Sequence, residues 1–499
     1  MVSRSSKDTA LAIFAAAIVV ISSLALFTLE RGTSAKDVVD QAAYELGRGN
    51  YRTASSLYQK AYVLFDQKGD TVAAEAALIM KFRADRALLE YSLTREEVVE
   101  AMKVGFPSLS PSTISQMIDD PSTEKVVSDG VTRYFTDVVM NFAYRDPVLM
   151  KDFTQRMGST PIYDTLLPMI KASQGEERTF FNQTNFLMTG EMTIPRSELP
   201  ETGVLQVWIP VPISTEYQTN ITDSIFPSEY LISIGTETGI GMAYLEIPLE
   251  GRTTDVTIRA ATTFSEYQQH FEIDPSNIGS YDKAGELYTH YTSSDRNIVI
   301  SDDTAEIAKA VVGEETNPYI QAKLIYEYVI GNISYSHMPH IAIDALHIPE
   351  SEYVRIHECG DCGGQSSYFS ALLRSLGVPA RTCGGYQSFP PGSGTHIWAE
   401  YYLPNYGWVP VDVTAAETAD WSYNATPEDV RLFKDYFFGN LDMYRMVLQN
   451  ETDLPLVPGD TERALFKTVV QYPLIVCTTS DQDLSVLSFF YWSLKVAQV

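Results

Sequence analysis

The spacing of apolar residues changes texture along the chain. From about 35 to 172 they recur at helical intervals, and 71–91 supplies one such helix. From about Glu176 the pattern becomes short alternating segments, 185–194, 203–210, 242–248 and 254–264. Turns containing Gly, Pro and Ser separate them, which predicts an antiparallel β-domain. A loop from 276 leads to helices over 302–312 and 318–330. A further helix opens at Cys362, carries Tyr368, Phe369, Ala371, Leu372, Leu373 and Leu376 at roughly 3.6-residue recurrence, and closes at Gly377. A turn and strand over 378–386 follow, then a loop at Gly392, Ser393 and Gly394 and a strand beginning at His396. Strand alternation sends His396, Trp398 and Glu400 to one face and Ile397, Ala399 and Tyr401 to the other. Asn405-Tyr406-Gly407 turns the chain into a strand over 408–414, so His396 and Asp412 come side by side on neighbouring strands. Past Asp420, the aromatic string Tyr436-Phe437-Phe438 predicts a tail that folds back on this region. The stretch 484–494 is too short and too interrupted to span a bilayer and predicts a terminal strand.

The chemistry gathers where these elements meet. Cys362, His396 and Asp412 place, in order, a thiol, an imidazole and a carboxylate, the parts of an acyl-transfer site. At a helix N-terminus the unpaired N–H groups and the helix dipole favour thiolate over thiol, so Cys362 is expected to be a low-pKa nucleophile. Its own backbone N–H is one candidate oxyanion donor. Gln365, Tyr335 and Tyr328 are candidates for the second by chemistry alone. Trp398, Glu400 and Trp408 read as packing or supporting residues.

The strings Gly-Asp-Cys-Gly at 360–363, Leu-Leu-Arg-Ser-Leu-Gly-Val-Pro-Ala-Arg at 372–381, His-Ile-Trp-Ala-Glu at 396–400 and Gly-Trp-Val-Pro-Val-Asp-Val-Thr at 407–414 carry a resemblance. The stretch from about Asn317 to Ala416 resembles the core of the transglutaminase-like superfamily, a papain-like group of thiol enzymes, in its microbial membrane-anchored type. The resemblance implies that Cys362 is the nucleophile, His396 the general base and Asp412 the carboxylate that orients the imidazole. It implies acyl transfer through a thioester, by hydrolysis or to an amine, on a protein or peptide substrate. The segment Leu205–Pro212 is more loosely similar to the β-sandwich that precedes this core in microbial members. The alternative is a catalytically idle adhesion or scaffold protein on the same fold.

Four cysteines in 499 residues exclude a disulfide-built fold. Cys359 and Cys362 form a C-x-x-C pair without a second such pair, a weak signal for zinc or for a redox dithiol; no metal and no cofactor are expected. A Cys359–Cys383 disulfide stays open. The uncharged run from Thr9 to Leu29 has the roughly 20 residues that cross a bilayer, and Arg4 and Lys7 precede it. It predicts a single-pass membrane anchor with the catalytic portion extracytoplasmic. A formal charge of −28 argues against nucleic acid as a partner.

The expected architecture is multidomain α+β. Residues 1–34 form the signal anchor with a short cytoplasmic tail, and 35–175 a helical domain. An antiparallel β-sandwich-like domain follows over 176–275, the papain/transglutaminase-like α+β catalytic core over 276–425, and a C-terminal extension packing on the core over 426–499. Ala42 and Ala43 followed by Gly49, Tyr51, Ala54, Tyr58 and Ala61 match one tetratricopeptide-like hairpin. A single hairpin is short of the roughly three repeats a solenoid needs, so this domain is a possible site for a protein partner and no established one.

Overall fold

The computed structural model describes residues 34–389 and 392–499. They fall into two compact units, residues 34–88 with Val126–Thr132, and Leu89–Lys125 with Arg133–Val499. The helical stretch expected over 35–175 is thus divided between them.

In the first unit, Ser34 and Asp37 start the helix Ala35–Gly47 with a reciprocal capping box. Val38, Ala42 and Leu46 are buried along it, and Tyr51, Ala54, Tyr58 and Ala61 are buried along Tyr51–Asp66. Gly49 turns between them at φ +77°, a conformation that costs glycine little. The Asp129-Gly130 turn joins two short strands, Lys125–Ser128 and Val131–Tyr134. Both turn residues have positive φ, as a two-residue hairpin requires, and β-branched Val126, Val127, Val131 and Thr132 suit the strands.

The second unit contains a mixed α+β arrangement with three principal sheets. Phe180–Ile194 alternates buried and exposed from Thr184 onward and pairs antiparallel with Val256–His270. The second of these sheets runs in the order Leu474–Cys477, Val204–Pro210, Met242–Pro248, Leu231–Gly235. Inward side chains of both sheets, among them Phe186, Met188, Val207, Leu245 and Ile258, share one apolar core. The third sheet is antiparallel, in the order Gly407–Val411, Gly394–Leu403, Ala380–Gln387, Arg445–Gln449. The helix Cys362–Ser375 packs on it through a core that includes Phe369, Leu372, Leu373, Trp398 and Val411. Helices Asp302–Val312 and Pro318–Asn332 lie in the same core.

The tail does not form a separate layer. Arg445–Gln449 joins the third sheet, Leu474–Cys477 the second, and Asn440–Leu441 and Ser493–Gln498 the first. Each adds main-chain hydrogen bonds to a strand that would otherwise present an open edge. The expected strand over 484–494 is corrected. Asp483 Oδ1 accepts from the Ser485 amide, opening a 3₁₀ turn and the helix Leu487–Tyr491, and strand begins only at Ser493.

The membrane-anchor expectation is also corrected. Among the described residues no helix is long and apolar enough to cross a membrane. The 20-residue helix Thr71–Glu90 has the length, but Glu75, Lys81, Arg83, Asp85 and Arg86 interrupt it with charge. The 9–29 segment on which the single-pass, extracytoplasmic reading rested lies outside the described residues.

One close approach in the third sheet holds the tail to the core. A Cβ on Gly385 would lie 1.8 Å from the Met446 carbonyl oxygen, on the strand that starts with Arg445. Backbone cannot yield as a flexible side chain does. Gly385→Ala is therefore expected to lower the unfolding free energy by about 1–3 kcal/mol, read by urea denaturation. A change within about 0.5 kcal/mol would show that the two strands separate without cost.

Candidate active site

Cys362 is the first residue of its helix, and Asp361 is the N-cap, its Oδ1 accepting from the Gly364 amide at 3.0 Å. The Ile397 and Gly363 amides act on the Cys362 sulfur in favour of the thiolate, and a Cβ on Gly363 would lie 3.0 Å from Ile397 Cδ1. The nucleophile candidate thus meets the strand Gly394–Leu403 one residue past His396. The low-pKa expectation is corrected: burial and the Asp361 carboxylate push the Cys362 thiol well up, outweighing the two amides. A helix N-terminus favours thiolate only where desolvation does not cost more.

His396 Nε2 lies 2.7 Å from Asp412 Oδ2. Asp412 ends its strand rather than continuing it. It is the N-cap of the short helix Val413–Glu417, and its Oδ1 accepts from the Ala415 amide at 2.9 Å. Oδ2 also accepts from Arg445 Nη1 at 2.5 Å. Burial alone would raise this carboxyl, yet His396 and the Arg445 guanidinium outweigh it and hold the group well below the usual carboxylate range.

Arg445 was not singled out by the chemistry of the sequence. Its Nε and Nη2 donate to Asp442 Oδ2 at 3.0 and 2.8 Å, so the guanidinium bridges Asp442 and Asp412. All three side chains are buried. Its Cζ lies 5.4 Å from the centre of the Trp398 ring. A string Asp-x-x-Arg on an apolar strand was the available signal, since an arginine there must find carboxylates.

Of the second-donor candidates, Gln365 Nε2 donates to the Gly360 carbonyl at 3.1 Å. Tyr328 acts on Tyr368, whose hydroxyl burial and Tyr328 push up. Tyr335 stands where the Cys362 and Asp361 charges reach its hydroxyl, which burial and those charges push well up. Glu400, on the His396 face of the strand, is committed elsewhere. It accepts two bonds from Arg381, at 2.8 and 2.6 Å, and one from the Tyr217 hydroxyl at 2.7 Å. Arg381 in turn stacks on Trp408, 4.1 Å from the ring centre. All four cysteines are free thiols, so Cys359 and Cys383 are not bonded.

A family model described as the transglutaminase-like superfamily matches residues 305–413. An uncharacterized protein of Haemophilus influenzae is 22% identical over 311 residues, 55% of this chain and 80% of its own length. The uncharacterized protein YebA of Bacillus subtilis is 25% identical over 291 residues, 49% of this chain and 38% of its own. Among solved structures, a proposed cysteine protease from Cytophaga hutchinsonii is similar with a TM-score of 0.40 and 13% identity, over 64% of this chain and 92% of that one. The helix carrying Cys362, the strand carrying His396 and the turn carrying Asp412 all fall within the matched residues, and 305–413 is a domain of the transglutaminase-like superfamily.

Proposed function

We propose that the protein is a thiol enzyme acting on peptide or amide bonds, with Cys362 as nucleophile, His396 as general base and Asp412 as its orienting carboxylate. The observation that carries this reading is the 2.7 Å contact of His396 Nε2 with Asp412 Oδ2. Because the carboxylate accepts there, Nε2 carries the hydrogen and Nδ1 is left as the basic nitrogen.

Because desolvation and the Asp361 carboxylate push the Cys362 thiol up, attack and proton removal go together. Sγ bonds to the carbonyl carbon as its proton passes to His396 Nδ1. Collapse of the tetrahedral intermediate breaks the C–N bond, and the departing nitrogen takes that proton, leaving a thioester. Water or a primary amine then adds, gives its proton to Nδ1, and releases the acyl group as Sγ recovers the proton. The Cys362 amide and the Tyr335 hydroxyl are the donors proposed for the oxyanion.

The test is incubation of the reduced protein with a mixed peptide library and a primary-amine donor, read by mass spectrometry beside Cys362→Ala. Cleaved or deamidated peptides made by the wild type alone are expected of a hydrolase, and amine-adducted glutamines of a transglutaminase. Products that persist in Cys362→Ala would remove Cys362 from the chemistry. No product from either protein would favour the idle scaffold.

A further inference from the structure

We propose that His340 is a positioning residue for the Cys362 thiol: as an imidazolium clamped between Asp361 and Glu350, it cancels the charge of the carboxylate that caps the nucleophile's helix. The inference rests on the nucleophile reading of Cys362 for its role in catalysis, but not for its electrostatics.

The geometry favours a ring protonated on both nitrogens. His340 Nε2 lies 2.6 Å from Asp361 Oδ2, and Nδ1 lies 2.9 Å from Glu350 Oε1. Two carboxylates can be satisfied at once only when both ring nitrogens donate, which is the imidazolium alone. Burial works against that charge, and the Asp361 and Glu350 carboxylates outweigh it, holding the ring well above the usual histidine range. Solvent does little to weaken the pairs, because the His340, Asp361 and Glu350 side chains are 21%, 15% and 4% exposed.

The carboxylate so neutralised is the one that matters to the thiol. Asp361 is bonded in sequence to Cys362 and is needed as N-cap, yet its charge opposes thiolate formation. His340 lets the cap stay without its full repulsion. Glu350 also approaches the first helical turn: a Cβ on Gly363 would lie 3.5 Å from its Oε2. The other charged groups facing the cluster are Glu90, which accepts from the Ile341 and Ala342 amides, His337, which acts on Asp361, and Asp453. Asp453 is pushed up to about 7 by burial first, then by Asp295 and Glu350. The Phe466 ring, 5.0 Å from that of His340, covers the imidazole.

The experiment follows iodoacetamide alkylation of Cys362 against pH in the full chain, read on the Cys362 peptide by mass spectrometry. His340→Gln is expected to raise the alkylation midpoint by about one pH unit, and Asp361→Asn, which keeps an acceptor for the cap, to lower it. In the Asp361→Asn background, His340→Gln should move the midpoint far less than it does alone. A His340→Gln protein that melts earlier with an unmoved midpoint would overturn the proposal, as would equal shifts in both backgrounds. If His340→Gln does not fold, an unmoved midpoint in Asp361→Asn overturns it instead. Alkylation reads ionisation and not turnover. Midpoints that shift as stated without any product would sink the enzyme reading alone, and Cys362-dependent product with unmoved midpoints would sink this inference alone.

Discussion

Asp412→Asn is expected to lower kcat/KM by about four orders of magnitude, the size of effect that follows when a triad imidazole is left in the wrong tautomer. The reason is visible in the neighbours of this carboxylate. Oδ1 accepts from the Ala415 amide, and Oδ2 from His396 and Arg445. All of these groups donate to the carboxylate, and besides them only the Thr414 hydroxyl stands by Oδ1, at 3.4 Å, so the NH₂ of an asparagine displaces a donor in either orientation. Facing inward it opposes Arg445 and forces His396 to accept at Nε2, which puts the hydrogen on Nδ1 and removes the base. Facing outward it opposes the Ala415 amide and breaks the cap. The same conflict costs stability, about 1–3 kcal/mol for a buried polar group left unpaired.

That loss has a defined pH dependence. The Asp412 carboxyl is held below its unfolded value, so its stabilisation is fully present above the ordinary carboxylate range, near pH 4, and is lost as pH falls toward the folded value. The gap in unfolding free energy between wild type and Asp412→Asn should therefore be widest near neutrality and narrow below about pH 4. Peptide turnover at saturating and limiting substrate, beside urea melts from pH 3 to 7, checks both parts. A variant with wild-type turnover would remove Asp412 from the mechanism.

Much of this site was legible in the sequence because its residues lie on elements with strong local signals. The apolar recurrence after Cys362 marks a helix, the His-x-Trp-x-Glu alternation marks a strand, and the Asn405-Tyr406-Gly407 turn ties that strand to the next. The missed features are of another kind. His340 meets Asp361 across 21 residues and Arg445 meets Asp412 across 33, and neither contact leaves a periodicity to find. Local chemistry also misled where burial decides the outcome. A helix N-terminus predicts a lowered thiol, but desolvation and the adjoining Asp361 raise it. The tail was read only as packing on the core, because Asn440–Leu441, Arg445–Gln449 and Leu474–Cys477 are too short for alternation to reveal which sheet each one completes.

Arg445→Met is expected to cost more stability than any single surface change, about 3–5 kcal/mol, because it leaves two buried carboxylates without the cation they share. The Arg445 side chain is 0% exposed and makes three charge-assisted bonds, two to Asp442 and one to Asp412. Oriented with its oxygen inward, the Gln387 amide accepts from it as well. Methionine can fill much of the apolar volume beside Trp398, so lost packing is the smaller part of the effect. Arg445→Lys separates charge from geometry. One ammonium cannot reproduce the planar fork that reaches both aspartates, and its stability should fall between those of wild type and Arg445→Met. Adding Asp442→Asn to Arg445→Met removes one of the two orphaned charges and should recover part of the stability. It should not recover turnover, since Asp412 would still lack its second cation and would hold the proton of His396 more tightly. Urea denaturation of the four proteins gives the stabilities, and peptide turnover the rates. Equal stability of Arg445→Met and wild type would mean that the bridge is energetically neutral, its desolvation cancelling its attraction.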